Sequence, residues 1–299
     1  MTKEILSSIY DYTLDELKEK LKPSFRAKQV YNWLYKKYAN SYDDMKNLPK
    51  ELIEDLKANY PIDILKVVKK EQSSDGSIKY LFKLRDNHTI EAVLLLMKDK
   101  KIDEDGQIVR SEKYTVCISS QVGCKVGCSF CLTAKGGFVR NLTVGEYIAQ
   151  IVHIKRDNEI AENKALNIVY MGMGEPLDNF DNFVKAVEIF SELDGLAISR
   201  RRQTVSTSGI ASKIKKLGEK DLQIQLAISL HAVDDELRSE LIPMNKAYNI
   251  ASIIEAVKAF PVDTRKKVMF EYLVIKDKND SLDAAKKLVK LLDGIQAKV

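Results

Sequence analysis

The chain has 299 residues, 45% of them apolar and 30% charged, a balance that excludes a disordered or fibrous protein and allows one large domain beside a small one. No apolar run reaches the ~20 residues of a membrane span, and the first residues lack a charged-then-apolar leader, so no membrane role and a cytoplasmic location are expected. The net charge of +5 at pH 7 is a weak pointer to a polyanionic partner.

Residues 1–60 read as a small helical module that could contact RNA. Thr13 and Glu16 form a capping box ahead of Leu14, Leu17 and Leu21, and Pro23 ends that helix. A second helix is expected over 26–39 and a third after Pro49. Lys28, Lys36, Lys37 and Lys46 interleave with Tyr31, Trp33, Tyr35 and Tyr38. Such mixing suits nucleic acid, but the plainer reading makes the rings the module's own core.

Residues 61–100 read as a three-stranded meander with turns at Asp75-Gly76 and Asp86-Asn87. On its last strand Glu91 stands among apolar neighbours. If buried, its pKa would rise toward that of a general base; a strand-end glutamate reaching solvent is the plainer alternative. The charged segment 98–113 looks like a linker.

Within 101–299, strands are expected at 114–119, 166–171, 203–207, 223–230 and 267–275. Helices are expected at 144–155, 181–193, 210–217, 251–260 and 282–292, with Thr143 and Ser281 as caps. A further strand would begin at 296–299. Repeated strand–helix units imply an α/β fold with a parallel sheet or barrel, whose site lies at the C-terminal strand ends.

All four cysteines fall within 117–131. Cys124, Cys128 and Cys131 make a C-x3-C-x2-C array just after the first of those strands. A zinc site would want a fourth protein ligand or a water, and no fourth cysteine stands in the array. Three thiolates suit a [4Fe-4S] cluster with one iron left open, with zinc or free thiols as the alternative. Gly123 and Gly127 would let the backbone wrap a cluster, and Phe130 could shield it. Cys117 shares a strand face with Thr115 and Ser119, whereas Val116 and Ile118 face the other way. Further strand ends carry Met171-Gly172-Met173-Gly174-Glu175-Pro176, Val205-Ser206-Thr207-Ser208-Gly209 and Ile228-Ser229-Leu230-His231. Glu175 could accept a hydrogen bond from a cationic amine; a lone His231 is more often a satisfied core histidine.

A cysteine loop after a barrel's first strand resembles the radical S-adenosylmethionine (SAM) superfamily. The ordered set S-S-Q-V-G-C-x3-C-S-F-C, G-M-G-E-P, S-T-S-G, I-S-L-H-A and I-P-M-N-K-x-Y-N-I, with F-R-A-K-Q-V-Y-N-W at Phe25 to Trp33, resembles the RlmN family more narrowly and across essentially the whole chain. That family methylates carbon 2 of an adenine in 23S rRNA and in tRNA through a methyl-cysteine intermediate. The resemblance implies a partial (β/α) radical SAM barrel preceded by the helical module and the meander. It places a [4Fe-4S] cluster on Cys124, Cys128 and Cys131, and SAM against Gly174, Glu175, Ser206, Ser229, Leu230 and His231. It makes Glu91 the proton acceptor and Cys117 the cysteine that closes a disulfide during turnover. It also implies a reducing electron-transfer protein as partner. The family's methyl-carrying cysteine has no counterpart after Cys131, so a C-terminally shortened barrel, unable to complete methyl transfer, is expected. A sister group methylates carbon 8 of the same adenine. It tends to carry alanine where Pro176 stands and cysteine where Val122 stands, so carbon 2 is favoured. Another [4Fe-4S] radical SAM enzyme is the remaining alternative.

Overall fold

The computed structural model describes residues 7–98, 101–102, 108–110, 112–162, 164–262 and 266–299, with backbone alone at 101–102 and 108–110. Three helices come first: α1 (Leu14–Lys20), α2 (Phe25–Tyr35) and α3 (Lys50–Asn59). The capping box forms: the Glu16 amide donates to Thr13 Oγ1 at 3.2 Å and the Thr13 amide to Glu16 Oε2 at 2.7 Å. Val30, Tyr31, Leu34 and Tyr35 are fully buried, so two of the four aromatic rings are core. Trp33 stays near the surface under the Lys37 ammonium, 3.8 Å from its ring centroid.

The meander is β1 (Leu65–Gln72), β2 (Ile78–Leu84) and β3 (Thr89–Lys98), followed by a short hairpin of β4 (Lys101–Ile102) and β5 (Ile108–Arg110). The next strand, β6 (Lys113–Cys117), pairs antiparallel with β3, Val93 opposite Cys117. The segment read as a linker is therefore an excursion between two neighbouring strands. Meander and barrel share one sheet because β3 offers β6 its free edge.

After β6 come a hairpin of β7 (Gln121–Gly123) and β8 (Phe138–Asn141), with α4 (Leu132–Lys135) between its arms, and then α5 (Val144–Asp157). The alternation continues through β9 (Leu166–Tyr170), α6 (Phe180–Ser191), β10 (Gln203–Thr207), α7 (Ala211–Lys220) and β11 (Gln225–Ser229). It ends with α8 (Asp235–Leu241), α9 (Ile250–Lys258), β12 (Val268–Glu271), α10 (Leu282–Leu291) and β13 (Ala297–Lys298). The sheet runs β1-β2-β3-β6-β9-β10-β11-β12-β13, parallel from β6 onward. The strand expected at 296–299 is β13.

Register sorts the two faces. Cys117 lies opposite Val169, Val169 opposite Thr204, Ser206 opposite Ala227, and Ser229 opposite Glu271. That face is polar and partly exposed. Its reverse carries Val116, Ile168, Val205, Ile228 and Phe270, which join Ile148, Ile151, Phe183 and Val187 of α5 and α6 in one core.

Arg140 on β8 ties three parts together. It donates to Asp86 at the meander turn at 2.6 Å and to both oxygens of Glu146 on α5 at 2.7 and 2.8 Å. Burial alone would raise the Asp86 pKa, but the guanidinium wins and holds it below the ordinary aspartate value. That contribution is complete above the ordinary aspartate pKa and is lost as pH falls through the lowered one. Arg140→Ala strands the buried Glu146 carboxylate and should cost about 3 kcal/mol. Thr143→Ala removes only the α5 cap and should cost about 1 kcal/mol. Urea unfolding at pH 7 checks both.

Candidate cofactor site

The cysteine loop is closed by the β7–β8 hairpin, in which Gln121 lies opposite Asn141 and Gly123 opposite Phe138. The Cys124 amide donates to the Gly137 carbonyl at 2.9 Å, sealing the arms. Beneath the loop, Val126 packs with Leu241 and Ile242, and Cys124 and Cys128 lie against that small cluster. The Ser129 amide donates to the Leu241 carbonyl at 2.9 Å, so α8 is the floor of the loop. Neither α8 nor the hairpin was expected from sequence. Asp234, whose carboxylate caps α8 by accepting from the Leu237 amide at 2.9 Å, was the available signal for the helix.

Cys124, Cys128 and Cys131 line a cavity of about 260 Å³ together with Gly174, Glu175, Ser206, Ser229, His231 and Phe130. A larger cavity of about 370 Å³ opens at the other end of β11 and β12, between Arg201, Phe260 and Lys267. It contains no thiol and lies at the strand starts, where sites of this architecture are not built.

Among the described residues no group of three His, Cys, Asp or Glu side chains is arranged around a single ion. The three thiols instead surround the cavity, an arrangement that fits a multi-iron cluster rather than one cation. Burial raises the Cys124 thiol to about 11 and the Cys128 thiol to about 12, and the neighbouring thiols add to both. Bound iron would replace those protons and reverse the preference. Gly174 lines the cavity while its α-carbon packs against the neighbouring chain: a Cβ there would come within 2.7 Å of the Gln121 amide nitrogen and of Ser120 Oγ.

Glu175 is buried, with its backbone amide donating to Gln121 Oε1 at 2.8 Å. Its Oε2 accepts from the Ser208 amide at 2.7 Å and the Ser208 hydroxyl at 2.8 Å, and its Oε1 from the Leu177 amide at 3.1 Å. Burial raises its pKa against these donors. Both lone pairs of Oε2 are taken, and Oε1 keeps one for a ligand.

His231 has φ 59° and sets its ring edge-on to Phe130, centroids 5.1 Å apart. Its Nδ1 accepts from the Leu273 amide at 3.0 Å, which leaves the proton of the neutral ring on Nε2. Burial, helped by the Arg238 charge, pulls its pKa down to about 4, so the ring is neutral at pH 7. The histidine is well satisfied, yet it lines the cavity.

The Ser206 and Ser229 hydroxyls lie 3.5 Å apart, and Ser229 donates to Glu271 Oε2 at 3.2 Å. Glu271 also lines the cavity, and sequence reading passed it over. Counting alternate residues from Met269 would have placed it on the same face.

Three expected positions stand apart from this lining. Leu230 is fully buried in the core, because alternation along β11 gives the cavity to Ser229. It offers only backbone: its amide donates to the Glu271 carbonyl at 3.0 Å. Cys117 is half-buried on the cavity's side of the sheet, its thiol raised to about 11 by burial, with the Glu271 carboxylate adding. All four cysteines are free thiols. Glu91 sits two residues before Val93, on the face shared with Cys117, and its carbonyl accepts from the Ser119 hydroxyl at 2.6 Å. Its carboxylate is 45% exposed and pairs with Lys79 at 3.0 Å. Glu91 is therefore a half-exposed, ion-paired side chain rather than a buried acid.

Two family profiles match: one described as the radical SAM superfamily over residues 118–289, and one described as the ribosomal RNA large subunit methyltransferase N-terminal domain over 9–62. The dual-specificity RNA methyltransferase RlmN of Aliarcobacter butzleri is 93% identical over all 299 residues, which span 83% of its length. Its namesake in Sulfurimonas denitrificans is 66% identical over 98% of this chain and 82% of its own. The crystal structure of a radical SAM methyltransferase from Sphaerobacter thermophilus superposes with a TM-score of 0.88 at 42% identity, covering 98% of this chain and 84% of that one. Cysteine loop, strand-end residues, N-terminal module and full-length identity agree: the chain belongs to the RlmN family of radical SAM RNA methyltransferases.

Proposed function

We propose that this chain serves the methylation of carbon 2 of an adenine in 23S rRNA and in tRNA, holding a [4Fe-4S] cluster on Cys124, Cys128 and Cys131 and SAM against the strand ends; the methyl-carrying cysteine that the family's reaction needs has no counterpart among these 299 residues. The observation that carries this is the shared lining: three thiols face Glu175, Ser206, Ser229 and His231 across one cavity. Adenine carbon 2 is electrophilic, so ordinary attack on a methyl sulfonium is unfavourable and a radical route suits it. When bound and reduced by an electron-transfer protein, the cluster supplies the electron that cleaves SAM. The chain's own residues bind and orient. Glu175, held rigidly by Ser208, offers the free lone pair of Oε1 to the SAM amine, and the Ser206 and Ser229 hydroxyls offer donors to its carboxylate and ribose. Neutral His231 and Phe130 wall one side. Glu91, half exposed beside the Cys117 face, accepts the proton from the adenine ring. Cys117 would attack the sulfur of the methyl-carrying cysteine, forming the S–S bond as the bond from that sulfur to the transferred carbon breaks; that partner cysteine is not among these 299 residues. The reducing cytoplasm suits the free thiols.

Anaerobic reconstitution tests the reading. It should give about four irons and four sulfides per chain, and SAM with a low-potential reductant should give 5′-deoxyadenosine. One zinc per chain would sink it. In the whole protein, Glu91→Gln should leave 5′-deoxyadenosine formation within about twofold while methylated adenine in digested RNA falls at least ~100-fold. Equal loss of both products would remove Glu91 from the proton-accepting role.

A further inference from the structure

Arg238 on α8 is fully buried. Its guanidinium makes four hydrogen bonds. Nε donates to the Leu230 carbonyl at 3.1 Å, and Nη1 to Asn245 Oδ1 at 2.8 Å. Nη2 donates to the Ser208 carbonyl at 2.6 Å and the Ser229 carbonyl at 3.1 Å. Three acceptors are thus main-chain oxygens at the ends of β10 and β11, in the two loops that also carry Ser206 and His231. The fourth is itself fixed: Asn245 Nδ2 donates to the Asp235 carbonyl at 3.1 Å, to Asp235 Oδ1 at 3.0 Å and to Ser239 Oγ at 2.9 Å. The carbonyl oxygen of Ser208 is held by Arg238 while its amide and hydroxyl hold Glu175, so the clamp runs directly to the cavity wall.

Among the described residues no carboxylate lies within ion-pair distance of Arg238, whose partners are neutral oxygens. Burying such a charge is costly, and an apolar residue of similar volume often serves stability better. Packing and helix formation therefore do not explain an arginine here. Its pKa is pulled down to about 10 by burial, with Asp235 and Cys128 acting against that.

We propose that Arg238 is a positioning residue of the cofactor site, clamping the β10 and β11 ends that carry the SAM-facing side chains. This rests on the reading of that cavity as the SAM site. A lysine would keep the charge but could not reproduce four directed bonds in two directions.

The whole protein, anaerobically loaded, is compared with Arg238→Lys and Arg238→Gln. Iron per chain, affinity for S-adenosylhomocysteine, and KM for SAM against kcat in 5′-deoxyadenosine formation are measured. Both variants should weaken S-adenosylhomocysteine binding at least fivefold and raise KM by a similar factor, while kcat stays within threefold and iron per chain stays at the wild-type level. A fully iron-loaded Arg238→Gln with wild-type affinity overturns the proposal. If Arg238→Gln does not fold, Asn245→Ala takes its place: freeing Nη1 should weaken binding at least threefold, and unchanged binding overturns the clamp. Absence of iron from the wild type would sink the cysteine reading instead, and the S-adenosylhomocysteine measurements would still decide whether Arg238 positions the loops.

Discussion

Cys128→Ala should purify with less than one iron per chain in place of about four, and its 5′-deoxyadenosine formation should fall at least ~1,000-fold. The three thiols line the cavity from one loop, and removing one takes away a third of the cysteine ligands proposed for the cluster. The loss should be local. Cys128 is only half-buried and touches a small cluster around Val126, Leu241 and Ile242 rather than the main core, so the melting temperature of the metal-free chain should move little. Cys117→Ala is the control. That residue stands on β6, opposite Val93 and Val169, and is not part of the cavity lining, so iron content should stay at the wild-type level. Equal iron loss in the two variants would mean that the cluster sits elsewhere than proposed.

Gly123→Ala should abolish iron binding with every cysteine intact. A Cβ at that position would lie 1.9 Å from the Gly137 carbonyl oxygen and 2.9 Å from its carbon, at φ +74°. The obstacle is main chain, so no rotamer change relieves it. The β7–β8 hairpin would have to open, releasing the bond from the Cys124 amide to Gly137. Strain and lost pairing together should cost about 3 kcal/mol, read by urea unfolding of the metal-free protein. Gly136→Ala, where a Cβ meets nothing nearer than the Thr133 carbonyl at 3.5 Å, should keep its iron. Iron retained by Gly123→Ala would show that the hairpin does not shape the loop.

Much of this arrangement was legible in local pattern. Capping boxes at Thr13 and Thr143 work through contacts three residues apart, so sequence shows them directly, and both form. The alternation of Cys117 with Val116 and Ile118 is a two-residue period, and the pairing keeps it. The array of three cysteines lies within eight residues, short enough for one loop to gather them. Where expectation and structure part, distant partners are responsible. The apolar neighbours of Glu91 left a buried acid open beside the plainer solvent-reaching glutamate; Lys79 on the adjoining strand makes it the latter, a half-exposed ion pair. Segment 98–113 looked like a linker because it is charged, yet the strands on either side of it are hydrogen-bonded to each other. Glu271 carried no motif and gained its place only when Ser229 came opposite it.

The sequence by itself determined the family, the array of three thiols proposed to hold iron, and most of the order of strands and helices, because each is written in residues close along the chain. Only the tertiary structure decided which strand ends share the cavity, that β7 and β8 lock the cysteine loop, and that a buried arginine reaches three carbonyls on two loops. Those depend on register and on close approach between segments many residues apart. Hydrophobic period selects the face a residue occupies, but not the neighbour it will meet there.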